Sequence, residues 1–195
     1  MQVTSDGLTP AEHRSLRELY AAARHVAGHW ATLAEQLDGE ARDALRIGAA
    51  VARELGRELR GRTAPHGLHG QVAAQSVGAR VAGLRNGAGD LFLERAQALR
   101  LAVLDVQHVT TLLAFLERLA SARGDDELAA FHRSWGRKLE RSERDVRATA
   151  IAAGEDPDGA VAPLRSSPLG RAAHGMAYAV GTAGEWVDRR LARSR

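Results

Sequence analysis

The stretch from Leu91 to Ala122, LFLERAQALRLAVLDVQHVTTLLAFLERLASA, decides the fold. Apolar residues outnumber polar ones along it and recur at the helical pitch of about 3.6 residues. Leu99, Val103, Val106, Leu113 and Ala120 form one apolar stripe. Leu101, Leu104, Leu112, Phe115 and Leu119 form a second on another side, so neighbouring elements are expected to cover much of the circumference. Asp105 and His108 fall on that second stripe, three residues apart and hence on adjoining turns of one face. A carboxylate beside an imidazole in an apolar setting is the first place to look for chemistry. Arg95, Arg100, Asp105, His108 and Glu117 interrupt the run at intervals shorter than the roughly 20 apolar residues a membrane span requires. The stretch therefore reads as the buried central helix.

Outward from it, Asp90 reads as the N-cap and Gly124 as the stop. Asp125, Asp126 and Glu127 then place acids at the positive end of a highly charged helix running from about Asp126 to Ala153. On the other side, Gly87, Ala88 and Gly89 cut off a helical pattern from Gln71 to Asn86. That segment carries Gly78 and Gly83, each about 1 kcal/mol less favourable in a helix than alanine. Gly61 to Gly70, with Pro65, reads as a connection. Nearer the N-terminus, Thr9, Pro10 and Glu12 supply an N-cap, a first helical position and a capping box. The helix they open runs to about Leu37 on a stripe of Leu16, Leu19, Ala23, Val26, Trp30, Leu33 and Leu37. Asp38 and Gly39 turn the chain into a second helix, from about Glu40 to Arg60, and so short a turn implies an antiparallel hairpin.

Beyond the bundle, Gly154 to Ser167 reads as an exposed linker, and Ser167 and Pro168 open a last helix to about Arg193 with Leu169, Ala173, Met176, Val180, Gly184, Val187 and Leu191 on one side. No repeat and no strand pattern occurs. The expected organisation is all-α: a helical bundle over 1–153, a linker over 154–167 and an amphipathic helix over 168–195.

Composition narrows the function classes. Aromatic residues make up 4% of the 195 residues against 45% hydrophobic, so the core must be mostly Leu, Ala and Val in close helix-to-helix contact. The absence of cysteine excludes disulfides, iron–sulfur clusters and thiolate zinc sites. MQVTSDGLTPAEHR lacks the basic and apolar regions of a signal peptide, which makes the expectation cytoplasmic. A net charge of +3 and a pI near 10.1 invite a nucleic-acid reading. The pattern disfavours it: Lys138 is the single lysine, and the arginines alternate with acids in RELGRELRGR and RKLERSERDVR, as on solvated, ion-paired helix faces.

Few motifs carry chemistry. His25 and His29 stand four apart, the spacing that offers one metal two imidazoles from one helix face, but the catalytic zinc pattern needs Glu where Val26 stands, and a flanking pair on a surface helix is expected. His66 and His69 lie in the glycine-rich connection without a nearby carboxylate. GLRNGAG, Gly83 to Gly89, follows no strand and has no lysine after a glycine, so it reads as a helix break and not a phosphate cradle. Asp156, Asp158 and Gly159 resemble part of a calcium loop that lacks its fifth and twelfth carboxylates.

Leu19-Tyr20, Gln107-His108 and the Gly124-Asp125-Asp126-Glu127-Leu128 turn, with the order and lengths of the helices, resemble the YciF-like stress-protein branch of the ferritin-like superfamily over roughly Leu16 to Ala153. The resemblance implies an antiparallel four-helix bundle with a Gly-rich crossover helix and, in metal-bearing members, a di-iron centre built from carboxylates and Glu-x-x-His on all four helices. Only Asp105-Val106-Gln107-His108 approximates that spacing here. Where the family's acids are expected stand Ala23, Val51, Gln107, Thr110 and Lys138. The reading is a bundle with a degenerate di-iron site, no cofactor and no oxidase activity, acting as a stress-associated structural or interaction protein. The alternative is iron or manganese held atypically by His25, His29, Asp105 and His108. Without metal, Asp105 and His108 would hydrogen-bond each other or a neighbouring Arg. The C-terminal helix, with Gly175, Gly181 and Gly184 on a small-residue surface and Arg189, Arg190, Arg193 and Arg195 at its end, could cover the bundle, form a homo-oligomer, or contact a protein partner or an anionic membrane.

Overall fold

The computed structural model of the chain describes residues 7–68 and 93–164. Four long helices dominate them: α1 (Pro10–Ala34), α2 (Gly39–Thr63), α3 (Arg95–Arg123) and α4 (Asp126–Ala152), followed by one further turn, α5 (Pro157–Ala160). No strand occurs among the described residues, only an isolated bridge between Glu94 and Pro163. The chain is all-α, as expected.

Each long helix packs on two others: α1 on α2 and α3, and α4 on α2 and α3. Contacts along each seam fix the directions. Trp30 lies against Gly48 and Tyr20 against Thr63, so α1 and α2 are antiparallel. Arg62 pairs with Glu127, and the Trp135 indole donates to Glu58, so α2 and α4 are antiparallel. Gln107 donates to Glu143 and Arg133 to Glu117, reversing α4 against α3. Glu12 meets Arg123 while His25 and His29 meet Asp105, reversing α3 against α1. It follows that α2 and α3 run the same way. The last turn of α2 and the first turn of α3 therefore lie toward opposite ends of the bundle, and the 25 residues of α2 rise about 37 Å at 1.5 Å each.

The core is aliphatic, with two tryptophans filling its widest parts. Leu16, Leu19, Ala23, Val26, Trp30 and Leu33 of α1 are buried, as are Leu99, Val103, Val106, Leu113 and Ala120 of α3. Trp135, on α4, is buried and carries Lys138 3.9 Å above its ring. The opening cap of α1 follows its sequence signature and goes further. Glu12 Oε2 accepts from Thr9 N at 2.8 Å and Thr9 Oγ1 at 2.9 Å, while Oε1 accepts from Arg123 Nε at 3.1 Å. Arg123 also donates to Asp125, the N-cap of α4, so one buried carboxylate joins the start of α1 to the turn between α3 and α4.

Several boundaries differ from the expectation, each for a local reason. The first helix stops at Ala34, although Leu37 stays buried in the turn beyond it. The second continues through Gly61 to Thr63, and only then do Pro65, in a 3-10 turn, and left-handed Gly67 (φ 71°) end it. The central helix begins at Arg95, because the backbone before it is engaged elsewhere: Leu164 N donates to Leu93 O and Arg95 N to Ala162 O, both at 3.0 Å. Of the expected linker, 154–158 are exposed, whereas the same contacts hold 162–164 against the start of α3 and Leu164 is buried. Asp156 caps α5 by accepting from Gly159 N, a structural use of that Asp-Gly stretch. The second stripe of α3 is only partly covered, with Leu104 at 52% and Phe115 at 48% exposure. By length and composition α3 is apolar enough to cross a membrane, with a mean hydropathy of 1.4 over 18 residues, yet its first stripe lies against α1 and α4. The crossover helix, GLRNGAG, the Asp90 cap, His69 and the C-terminal helix lie outside the described residues.

Two substitutions test the packing. A methyl group at Gly48 would fall inside the Trp30 indole, which is fully buried and cannot swing away. Gly48→Ala is therefore expected to lose about 1–3 kcal/mol despite its better helix propensity, read as a lower urea midpoint at unchanged slope. His132, on α4, is fully buried, and neither ring nitrogen has a hydrogen-bond partner among the described residues. Burial pushes its imidazole down from 6.5 to about 4, against the opposing pull of Glu12, Glu117 and Asp125. The unfolded chain therefore takes up this proton first, so the stability is whole above about pH 6.5 and falls as the pH drops toward 4, by about 3 kcal/mol in all. His132→Leu should flatten that part of the stability–pH curve in chemical denaturation.

Candidate functional site: a histidine–aspartate cluster between α1 and α3

Helical geometry assembles half of the site within α1. His25 and His29 are one turn apart, and each directly precedes a core residue, Val26 or Trp30. That offset of about 100° turns both imidazoles toward the flank of the core stripe, where α3 passes. Their rings stack with centroids 5.3 Å apart and planes 25° from parallel. From α3, Asp105 enters the same seam next to fully buried Val106. Its Oδ2 lies 3.2 Å from His25 Nε2 and 2.8 Å from His29 Nδ1.

The three side chains are nearly out of solvent, at 11%, 9% and 10% exposure for His25, His29 and Asp105. Burial by itself would raise the carboxyl pKa. Hydrogen bonds from His25 and His29, with their charge interaction, outweigh it and hold Asp105 at about 2 instead of 3.8. Asp105 is thus an ionised carboxylate in a mostly desolvated seam. Its Oδ2 and one nitrogen from each ring lie within 4.8 Å of one another, and these are donor atoms of the kinds that bind a metal ion.

The expected grouping is therefore corrected. Asp105 and His108 each take a different partner on α1. His108 Nε2 lies 3.2 Å from Glu18 Oε1 in an ion pair about half exposed on both sides. His25 and His29 are not on an open helix face but in the α1–α3 seam. The signal for this was present in the sequence as two histidines at i and i+4, each one position before a core residue. Which helix would cover that flank was not. His132, buried in α4, was not among the candidates, although Leu128, Trp135, Leu139 and Val146 at three-and-four spacing put its position on the buried side of that helix.

The positions where the resemblance implied acids hold other contacts. Ala23 is in the core, Val51 packs against it, and Lys138 lies over Trp135. Gln107 donates to Glu143 at 3.1 Å, and Thr110 Oγ1 donates to the Gln107 carbonyl at 3.0 Å.

The depressed pKa of Asp105 sets a stability test. The group's contribution is complete above the unfolded value near 4 and is lost as the pH falls through about 2. Asp105→Asn is expected to lose about 2 kcal/mol at pH 7, and the difference from the parent chain should shrink between pH 4 and 2 in urea titrations. An equal difference at both ends of that window would show that the carboxylate charge is not what stabilises the seam. No family model, curated protein or solved structure matches the chain.

Proposed function

We propose that this chain is a ferritin-like helical bundle that retains the architecture without the four-helix carboxylate centre, and that it acts as a structural or interaction protein of the stress-associated kind and not as an oxidase. The observation that carries the reading is the set of residues where that centre's ligands would stand. Ala23 is part of the packed interior and Val51, partly buried, packs against it, Gln107 and Thr110 are engaged in hydrogen bonds along α3 and to α4, and Lys138 brings a positive charge to a ring face. A di-iron centre draws ligands from all four helices, and apolar, neutral polar or basic residues at these positions remove the negative charge it needs. The helix directions support the architectural half of the reading, since the four helices form two antiparallel hairpins whose second and third helices run the same way, as in a ferritin-like bundle with one long crossover.

Contact as the mode of action is supported by the outer surface. Ile47, Leu104, Phe115, Ile151 and Val161 are large apolar side chains between 48% and 71% exposed, and Leu104 and Phe115 share one face of α3. Self-association through such a face needs no partner of another kind.

The test combines turnover and mass on the full-length chain. Ferrous iron added under air should oxidise no faster than in buffer, and light scattering should give a mass above the 20.9 kDa of one chain. Catalysed iron oxidation overturns the non-catalytic reading, whereas a strictly monomeric mass removes self-association from it.

A further inference from the structure

We propose that His25, His29 and Asp105 form a mononuclear site for a borderline divalent transition-metal ion, of the zinc, cobalt or nickel class, at the seam between α1 and α3. The inference stands on its own geometry and does not depend on the functional reading above.

The first argument is spatial. Two ligand atoms bound tetrahedrally to zinc at about 2.0–2.1 Å are about 3.3 Å apart. Asp105 Oδ2 is 3.2 Å from His25 Nε2 and 2.8 Å from His29 Nδ1, so both nitrogen–oxygen edges of such a polyhedron are already formed to within about half an ångström. The third edge, between the two imidazoles, needs only rotation of the rings, whose ligand atoms are within 4.8 Å.

The second argument is electrostatic. The one carboxylate of the cluster stands beside two imidazoles in a seam where the side chains are about one-tenth exposed. Charge attraction acts more strongly there than in water, and a dication offsets the carboxylate without requiring either ring to be protonated. The same nitrogens that donate to Asp105 become the ligands. Neutral His25 moves its proton from Nε2 to Nδ1 and neutral His29 from Nδ1 to Nε2, which frees one lone pair on each ring with no net proton release. A ring that starts protonated releases one proton as the ion binds.

The third argument is donor chemistry. Two imidazole nitrogens and one carboxylate oxygen suit borderline ions and are a poor match for calcium or magnesium, which take oxygen ligands. The stability order of divalent ions places cobalt, nickel and zinc above manganese and iron in such a set. His108 takes no part, because its ring pairs with Glu18 on the more exposed part of the seam.

The test uses the full-length chain without a histidine tag, stripped with a chelator and titrated with zinc in competition with a chromophoric chelator. One ion per chain is expected, with the melting temperature rising until that point. His29→Gln and Asp105→Asn should each weaken binding at least tenfold, and His25→Ala with His29→Ala should abolish it, while His108→Ala and His66→Ala leave it unchanged. Circular dichroism keeps the comparison to folded chains, and His29→Gln retains a side chain of similar size should the Asp105 variant not fold. Cobalt(II) bound at the same stoichiometry should give visible bands that are lost in His29→Gln. Failure of the parent chain to compete for zinc, or zinc binding unchanged in folded His29→Gln, overturns the site. Neither result bears on iron oxidation, so the two readings fail separately.

Discussion

The contact between Trp30 and Gly48 governs the geometry of the bundle. An indole that is fully buried must be accommodated by a neighbour, and α2 does so by presenting a residue without a side chain at that level. The same point is close to α4, because a Cβ at Gly48 would stand 3.4 Å from the Cβ of Ser142. Three of the four helices therefore meet around one ring. Interiors packed at crystal-like density transmit such a constraint along the helices, which here carry little other aromatic bulk. With the α1–α2 and α2–α4 seams fixed in this way, α3 closes the square by lying against α1 and α4.

Polar groups within that apolar frame are treated in three different ways. Glu12 is fully buried and satisfied, since both carboxylate oxygens accept, one from the Thr9 cap and one from Arg123. Asp105 is about nine-tenths buried and is satisfied by two imidazoles. His132 is buried without a partner among the described residues and stays neutral as a result. The first arrangement joins the ends of three helices, the second joins the middle of two, and the third links stability to acidity. Each follows from the same cost of removing a polar group from water.

The proposed function and the proposed metal site describe different parts of the bundle. A four-helix carboxylate centre needs donors in the bundle interior, where Ala23, Val26 and Trp30 of this chain are buried. The His25, His29 and Asp105 cluster lies in one seam and involves two helices. An ion there would join α1 to α3 in the way that Glu12 and Arg123 join them one end away, adding a cross-link without requiring the bundle interior to become polar. A structural metal is thus compatible with a bundle that performs no oxidation.

Local sequence determined the elements of this protein, because helix signals are carried by residues a few positions apart. Thr9, Pro10 and Glu12 specify a start, Gly124 a stop, and the three-and-four spacing of leucines and alanines a buried side, and these needed no knowledge of the fold. The boundaries that tertiary contacts changed are those where another segment competes for the backbone, as at Leu93 to Arg95, where 162–164 take the hydrogen bonds that an earlier helix start would have used. Side-chain partners were decided by the tertiary structure alone. Asp105 and His108 are neighbours in sequence with different partners, whereas Asp105 and His29 are 76 residues apart and 2.8 Å from one another. A helix fixes which side a residue occupies, but only the packing of a second helix determines what it meets there.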